Sequence, residues 1–525
     1  MSLNVFLHQL QFEPDKVKSK DWETDWADAP LPYKLYRGLP SFPLCAEVPL
    51  TLARERQLAK PKLRELGHFL WYTFGLARLS QSVFGTDPGD DWGSSLQLCR
   101  RFVPSGGGLY PSELYLYLKL EELPLGVYHY DVAHHRLILL REGNFDDYLS
   151  KALGNRCDLT AAFGAAFVST MFWKNYFKYS HFSYRLQGLD AGLLIGQLLA
   201  IAKSFGFEAG VCYQFLDRAV NRLLGLTEHE ESAYAVIPLS HEPRMQWFSS
   251  EAKGAVVVAA DLCEALEELK HEHFMRSKRV LEIPKLLKLN EASMLDSTAS
   301  FQPIIRKIPD SDHSTAYKLP NVTRLSYDMA SVLQERYSPE NEFVLQQVSQ
   351  SNLAALLNEA LLSFEYLNDL DGNESDPASR IGLYGSFYGI EGIPNGAYRY
   401  DGSEHALQLL REGDHRGWLQ NGMSLDNVSL HQVPLCFHIA GDLNFNQALL
   451  GYRGYRIQQM EAGVLVHRLL LAASAFRMGG RPLLGFDVKV SDELYAIASR
   501  GLSSLIQIPI GYCRTRSRLE GSLSH

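Results

Sequence analysis

The sequence predicts an α+β protein built from two similar halves, each a mostly antiparallel sheet flanked by helices. Three observations predict it. Strand-like runs of period two, "ELYLYLKL", "GVYHYD" and "RLILL", follow one another at hairpin spacing. Two long segments, "AGLLIGQLLAIA" and "AGVLVHRLLLAASAF", are apolar on most sides and read as buried core helices. Finally, the chain repeats itself. "GVYHYDVAHHRLILLREG" (126–143) resembles "GAYRYDGSEHALQLLREG" (396–413), and "YRLQGLDAGLLIGQLLAIAKSF" (184–205) resembles "YRIQQMEAGVLVHRLLLAASAF" (455–476). The offset stays at about 270 residues across both pairs, which marks a tandem duplication.

Each half is expected to run in the same order. A helix comes first, over "KLRELGHFLWYTFGLARL" in half one and "TRLSYDMASVLQERY" in half two. In the latter, Leu325, Met329, Val332 and Leu333 fall on one helical face. The strands follow, then the core helix, then a last strand near "YAVIPLS" or "SLIQIPIG". The expected division is 1–245, a connecting region 246–318, and 319–525. Two like halves in one chain imply an intrachain pseudo-dimer about a pseudo-twofold axis.

The totals narrow the function classes. At 525 residues the chain exceeds a single ordinary core, since domains average ~150 residues. A net charge of −9 with no long basic run leaves no footprint for nucleic acid or an anionic membrane. The seven cysteines are scattered without a CxxC pair, as in reduced cytoplasmic proteins. The N-terminus lacks the pattern of a signal peptide, and both apolar stretches fall short of the roughly 20 residues of a membrane span.

The segment "PSGGGLYPSELYLYL", from Pro104, is the most unusual local feature. Alone, it reads as a glycine-rich turn into a strand. No Gly-Lys-Ser/Thr follows it, so it is not a P-loop, and the chain has no GxGxxG or Gly-x-Ser-x-Gly motif. His129, His134 and His135 cluster without ligand-spaced partners, which argues against a metal site.

With "GVYHYD", "KYSHFSYRLQGLDAG", "ERYSPENEF" and "RPLLGFD", this segment resembles the nitroreductase-like flavoproteins, particularly the SagB-type dehydrogenases that oxidise azolines in peptide natural products. The resemblance covers roughly 60–525 and rests on the shared order of individually weak motifs. It implies FMN, two nitroreductase-like domains, and a flavin site built between them. It further implies that Pro104, Ser105, Gly106, Gly107 and Leu109 wall the flavin from half one. Arg336 and Ser338 would grip its phosphate from half two, with Arg514 or Arg516 assisting. Pro482, Leu483, Leu484 and Gly485 would lie under the ring.

The residue types suit these roles. Arginine offers a planar, permanently charged fork for phosphate. Glycine lets backbone approach a ring closely. Lys178 and Tyr179 are the catalytic candidates: oxidising an azoline removes a hydride and a proton, and the proton needs a base. A lysine serves only if its pKa is depressed, and the aromatic "FWKNYFKYSHFSY" could supply a dry setting. Half two has Leu449-Leu450 at that place and "ESDPASRIGLYGSF" instead of the glycines, so one complete site per chain is expected. Tyr184-Arg185 and Tyr455-Arg456 persist in both halves, as structural residues would. The partner expected is a small-molecule or modified-peptide substrate, with NAD(P)H or oxygen as redox partner. Two other readings stay open: an NAD(P)H-dependent nitroreductase or quinone reductase, and a catalytically decayed scaffold of a biosynthetic complex.

Overall fold

The alternating runs form strands, and their period divides two cores between them. Strand β4 (Ser112–Leu118) turns Leu114, Leu116 and Leu118 to a core shared by both halves. It turns Tyr115 and Tyr117 to a second cluster within residues 36–262. The computed structural model describes residues 2–17, 22–52, 60–83, 95–157, 159–242, 247–248, 255–304, 315–362, 366–371, 380–514 and 519–522.

Among these, one sheet comprises β1 (Ser41–Pro43), β4, β5 (Gly126–Asp131), β6 (Arg136–Glu142), β7 (Gly164–Met171), β8 (Glu208–Val211), β9 (Glu231–Ser240) and β11 (Leu367–Asn368). Its order is β1-β6-β5-β4-β7-β9-β8-β11. The other comprises β10 (Ala316–Lys318), β12 (Gly382–Phe387), β13 (Gly396–Asp401), β14 (Ala406–Glu412), β15 (Leu435–Asp442), β16 (Gly479–Gly480) and β17 (Leu502–Gly511). Its order, β10-β14-β13-β12-β15-β17-β16, repeats the first sheet strand for strand up to β8. The repeat extends to detail. Both hairpins shift register after their second residue, between Val127 and Tyr128 and between Ala397 and Tyr398. Each also closes on a tyrosine–histidine hydrogen bond, Tyr130 to His135 at 2.8 Å and Tyr400 to His405 at 2.7 Å.

The halves meet along the helices Ser183–Ser204 and Arg453–Ala475. Glycine is required at their crossing. A Cβ on Gly192 would stand 2.1 Å from the Met460 carbonyl oxygen, and one on Gly463 would stand 2.3 Å from that of Leu189. Nearby, Tyr184 and Tyr455 stack with centroids 6.0 Å apart, each the other's counterpart in the repeat. The halves also exchange strands. β11 of half two adds to β8 of half one, and β18 (Leu519–Ser522) joins β2 (Leu76–Val83) and β3 (Ser95–Arg101).

The structure corrects three expectations about elements. The first-half helix ends at Phe74, because Gly75 leaves the helical region and β2 begins at Leu76. The expected second-half helix spans only Met329–Glu335, capped by the Asp328 side chain, so Leu325 lies outside it. The helix that follows, Gln350–Leu357, packs with the next turn against the Arg453–Ala475 helix. Finally, Trp173–Ser204 is helical for 32 residues, long and apolar enough to cross a membrane by length and composition; 89% of its most apolar window is buried inside the protein.

Candidate functional site

The glycine segment forms a tight turn, Gly106–Gly108, between β3 and β4. Gly107 and Gly108 hold φ of +66° and +70°, the left-handed region that L side chains disfavour. A buried carboxylate anchors the turn. Ser105 Oγ lies 2.6 Å from Asp190 Oδ2, the Gly106 amide donates to Asp190 Oδ1 at 3.1 Å, and the Tyr110 amide donates to Ser105 Oγ at 2.9 Å. Asp190 projects from the core helix Ser183–Ser204, so the turn is tied to the element on which the halves pack. Pro104 is half-buried and Leu109 buried beside it.

Burial pushes the Asp190 carboxyl up to about 7, although its contacts with Ser105 and Gly106 oppose the shift. A protonated Asp190 can donate to Ser105 Oγ while accepting from Gly106. Folding therefore favours the protonated form. The folded chain holds this proton across the range from 3.8 to about 7 where the unfolded chain has lost it, so the contribution is complete below 3.8 and lost as pH rises towards 7. An asparagine side chain at this position would reproduce the protonated pattern of one acceptor and one donor. Asp190→Asn is expected to keep the fold and flatten this limb of stability against pH, read from urea midpoints across that range.

Lys178 and Tyr179 stand against the same turn. A Cβ on Gly107 would lie 2.6 Å from the Tyr179 hydroxyl and 3.2 Å from Lys178 Nζ. The aromatic setting is present: Lys178 Nζ lies 5.2 Å from the Trp26 ring centroid and 5.0 Å from that of Tyr179. Burial lowers the Lys178 pKa, and the Arg481 guanidinium lowers it further. Burial pushes the Tyr179 phenol up to about 12, which keeps it a proton donor at neutral pH. Arg481 comes from half two and is held by the Ser338 and Pro339 carbonyls at 3.4 and 3.3 Å.

A cationic end adjoins the turn on its other side. Arg336 is half-buried, its Nε donating to the Phe102 carbonyl at 2.8 Å, while its Nη1 has no partner among the described residues. Burial, then Arg100 and Arg78, bring the Arg336 pKa down to about 10. A Cβ on Gly108 would lie 3.2 Å from Arg100 Nη1. The glycine turn thus has a lysine–tyrosine pair against Gly107 and Arg100 against Gly108, with Arg336 of half two in the field of Arg100 and Arg78. Such a cluster can hold a phosphate, and a glycine backbone beside it can lie against a flat ring.

The other expected residues are placed less centrally. Leu483 exchanges both backbone hydrogen bonds with Gln507, and the Ser424 amide donates to the Gly485 carbonyl, so Pro482–Gly485 runs along the edge of β17. Leu484 is buried and Gly485 exposed, and it is the preceding Arg481 whose charge acts on Lys178. Arg514 is exposed; its amide donates to the Glu342 carbonyl at 2.8 Å. Arg516 lies outside the described residues. Asp190, Arg481, Arg100 and Arg78 were not singled out from the sequence. Only Asp190 and Arg481 adjoin a recognised motif, the Ala-Gly of the core helix and the Pro482 loop.

Half two treats the counterpart of Asp190 differently. Glu461 is buried and bound by Arg380 at 2.5 Å, and Arg380 also binds Asp371 at 2.5 Å. At the counterpart of Lys178-Tyr179, Leu449 is 52% exposed and Leu450 is buried. The two Tyr-Arg pairs are structural: Arg456 binds Asp217 at 2.8 Å, and Arg185 donates to the Leu505 carbonyl at 2.5 Å.

Fold and site together define a two-halved α+β protein in which Lys178, Tyr179 and the glycine turn of one half meet Arg336 and Arg481 of the other. Residues 63–239 match the nitroreductase family model. Trifolitoxin-processing protein TfxB of Rhizobium leguminosarum bv. trifolii is 31% identical over 143 residues, 26% of this chain; the chain spans 38% of that protein's length. A crystal structure of a protein assigned to the nitroreductases, from Anabaena variabilis ATCC 29413, superposes with a TM-score of 0.73 at 21% identity. The alignment covers 98% of this chain and 99% of that one, so the fold is shared over nearly the whole length.

Proposed function

We propose that the chain is an FMN-dependent dehydrogenase of the SagB type, oxidising an azoline or related ring in a modified peptide. The observation that carries this reading is the meeting of Lys178 and Tyr179 with the Gly106–Gly108 turn, beside Arg336, Arg100 and Arg78. The residues fit the cofactor: Arg336 has an Nη1, unpartnered among the described residues, for a phosphate oxygen, and the glycines offer backbone without side chains. The likeness to a trifolitoxin-processing protein supports a modified-peptide substrate.

When bound, FMN would supply the two-electron acceptor, its N5 receiving the hydride from the ring carbon. Lys178, whose pKa burial and the Arg481 guanidinium lower, takes the proton from the adjacent carbon. Tyr179 keeps its own proton and orients the substrate or relays charge through its hydroxyl. Asp190 holds the turn against which both act. The overall change is an azoline minus two hydrogens, giving an azole, with oxygen as final acceptor.

The test is incubation of the FMN-loaded protein with a thiazoline-bearing peptide in air. Conversion to the thiazole, seen as a mass loss of two hydrogens, is expected. NAD(P)H oxidation with menadione but no thiazole would replace this reading with the quinone reductase. A protein that takes up no FMN would replace it with the scaffold.

A further inference from the structure

Half one buries an ion pair that half two does without. Lys174, 2% exposed, binds the Glu113 carboxylate of β4, which is fully buried, and its Nζ also donates to the Tyr110 carbonyl at 3.3 Å. The other Glu113 oxygen faces His129 Nε2 at 2.9 Å. Burial works against the charge on Glu113, yet Lys174 and His129 hold its carboxyl well below the ordinary carboxylate range. Taking two charges out of water is costly, and well-packed apolar side chains often stabilise a fold as well or better. Half two shows as much. Glu113 lies two residues before Tyr115, which pairs with His129; Gly382 lies two before Tyr384, which pairs with Arg399, the counterpart of His129. Gly382 therefore stands at the place of Glu113, and Phe445, four residues before Leu449, stands at the place of Lys174. The same sheet order and the same core helix form there. The fold as such does not call for the pair.

What half one has and half two lacks is the helix above the pair. Trp173–Tyr179 runs for seven residues and ends on Lys178 and Tyr179, whereas its counterpart Gln447–Leu450 runs for four. Lys174 and Lys178 are four positions apart and share one face of the helix. Both reach the segment between β3 and β4: Lys178 stands against Gly107, and Lys174 holds the Tyr110 carbonyl. Tyr110 is itself fixed, its amide donating to Ser105 Oγ and its hydroxyl accepting from the Arg101 amide, each at 2.9 Å. The helix has other ties. Trp173 Nε1 donates to Ser277 Oγ at 3.0 Å and Gln187 Nε2 to Asn175 Oδ1 at 2.8 Å. These run to the connecting region and the core helix, whereas Lys174 joins the helix to the segment that carries the glycine turn.

We infer that Lys174 and Glu113 are positioning residues for the dehydrogenation: their ion pair fixes the Trp173–Tyr179 helix so that Lys178 and Tyr179 meet the glycine turn. The inference rests on the reading of Lys178 as the base. Neither member of the pair touches the substrate. Their effect passes through the placement of Lys178, and a misplacement of about 1 Å at a reacting group can cost ~100-fold in rate.

The test compares the FMN-loaded wild type with Glu113→Gln/Lys174→Met, which removes both charges. Glu113→Gln alone keeps a carboxamide within reach of Lys174 and His129 and serves if the double variant does not fold. Each is assayed on a thiazoline-bearing peptide, with and without Lys178→Ala. Either variant should lower kcat about 10–100-fold and leave KM and FMN content unchanged. In the Lys178→Ala background the same changes should cost less than about twofold, because a positioning residue acts through the group it places. In the cofactor-free chain, amide hydrogen exchange over 176–179 should speed up while the Ser183–Ser204 helix keeps its protection. Wild-type kcat or unchanged exchange in the variants overturns the inference and leaves Lys178 as the base. An equal loss of rate in the Lys178→Ala background, or failure of both variants to fold, also overturns it and assigns the pair to the fold. A wild type that forms no thiazole overturns the base reading and this inference with it.

Discussion

Lys178→Ala should lower dehydrogenation by about 10²–10⁴-fold, the usual contribution of a positioned base, while the protein keeps its flavin. The substitution removes an ammonium group 3.2 Å from where a Gly107 Cβ would stand, but none of the guanidinium groups. The pH profile gives a second readout. A base works deprotonated, so the rate rises with pH, and a lowered Lys178 pKa places that rise below the ordinary lysine range. Arg481→Met removes one cause of the lowering, so the rise should move to higher pH. Single-turnover rates across pH check both variants. Loss of flavin from Lys178→Ala would make the residue structural.

The second large effect concerns the cofactor's hold. Arg336→Met should weaken FMN binding by roughly 10–100-fold, since a hydrogen bond to a charged group contributes about 1.5–3 kcal/mol. The same change should leave the cofactor-free protein as stable as before or more so. Arg336 sits half-buried beside Arg100 and Arg78, whose charges oppose its own. Removing it relieves that repulsion and loses one hydrogen bond, to Phe102. Flavin titration followed by fluorescence quenching, with thermal melting of the cofactor-free chain, separates the two. Lower stability with unchanged FMN affinity would assign Arg336 to the fold.

Much of this architecture was legible in the sequence because duplication printed it twice. The strand β4 and the hairpins β5–β6 and β13–β14 follow from period-two runs, and the core helices from their unbroken apolar faces. The helix boundaries were less legible. Gly75 stops one helix inside an apolar run that looks continuous, and Leu325 fits a helical stripe that begins only at Met329. The strand exchange of β11 with β8 was not legible, since two residues pairing across about 150 positions leave no local pattern. The site was half legible. Lys178, Tyr179 and the glycines stand in recognisable motifs and do meet. Asp190 and Arg100 act through tertiary contacts: Asp190 stands in the core-helix motif, but its tie to Ser105 and Gly106, 85 and 84 positions away, leaves no local pattern. Pro482–Gly485 carried a motif, yet β17 takes up its backbone, and Arg481 ahead of it is the residue that reaches Lys178.

The central claim is that the two halves share a single complete site. Half one supplies the glycine turn and the Lys178-Tyr179 pair. Half two supplies Arg336 and Arg481, the latter held by the Ser338 carbonyl. The counterpart of Asp190, Glu461, is instead locked to Arg380. The most direct measurement is the flavin released by heat from protein saturated with FMN, quantified by absorbance per chain. One FMN per chain is predicted. Two per chain would contradict the account, because the second half would then hold a site where this structure places the Arg380–Glu461 pair.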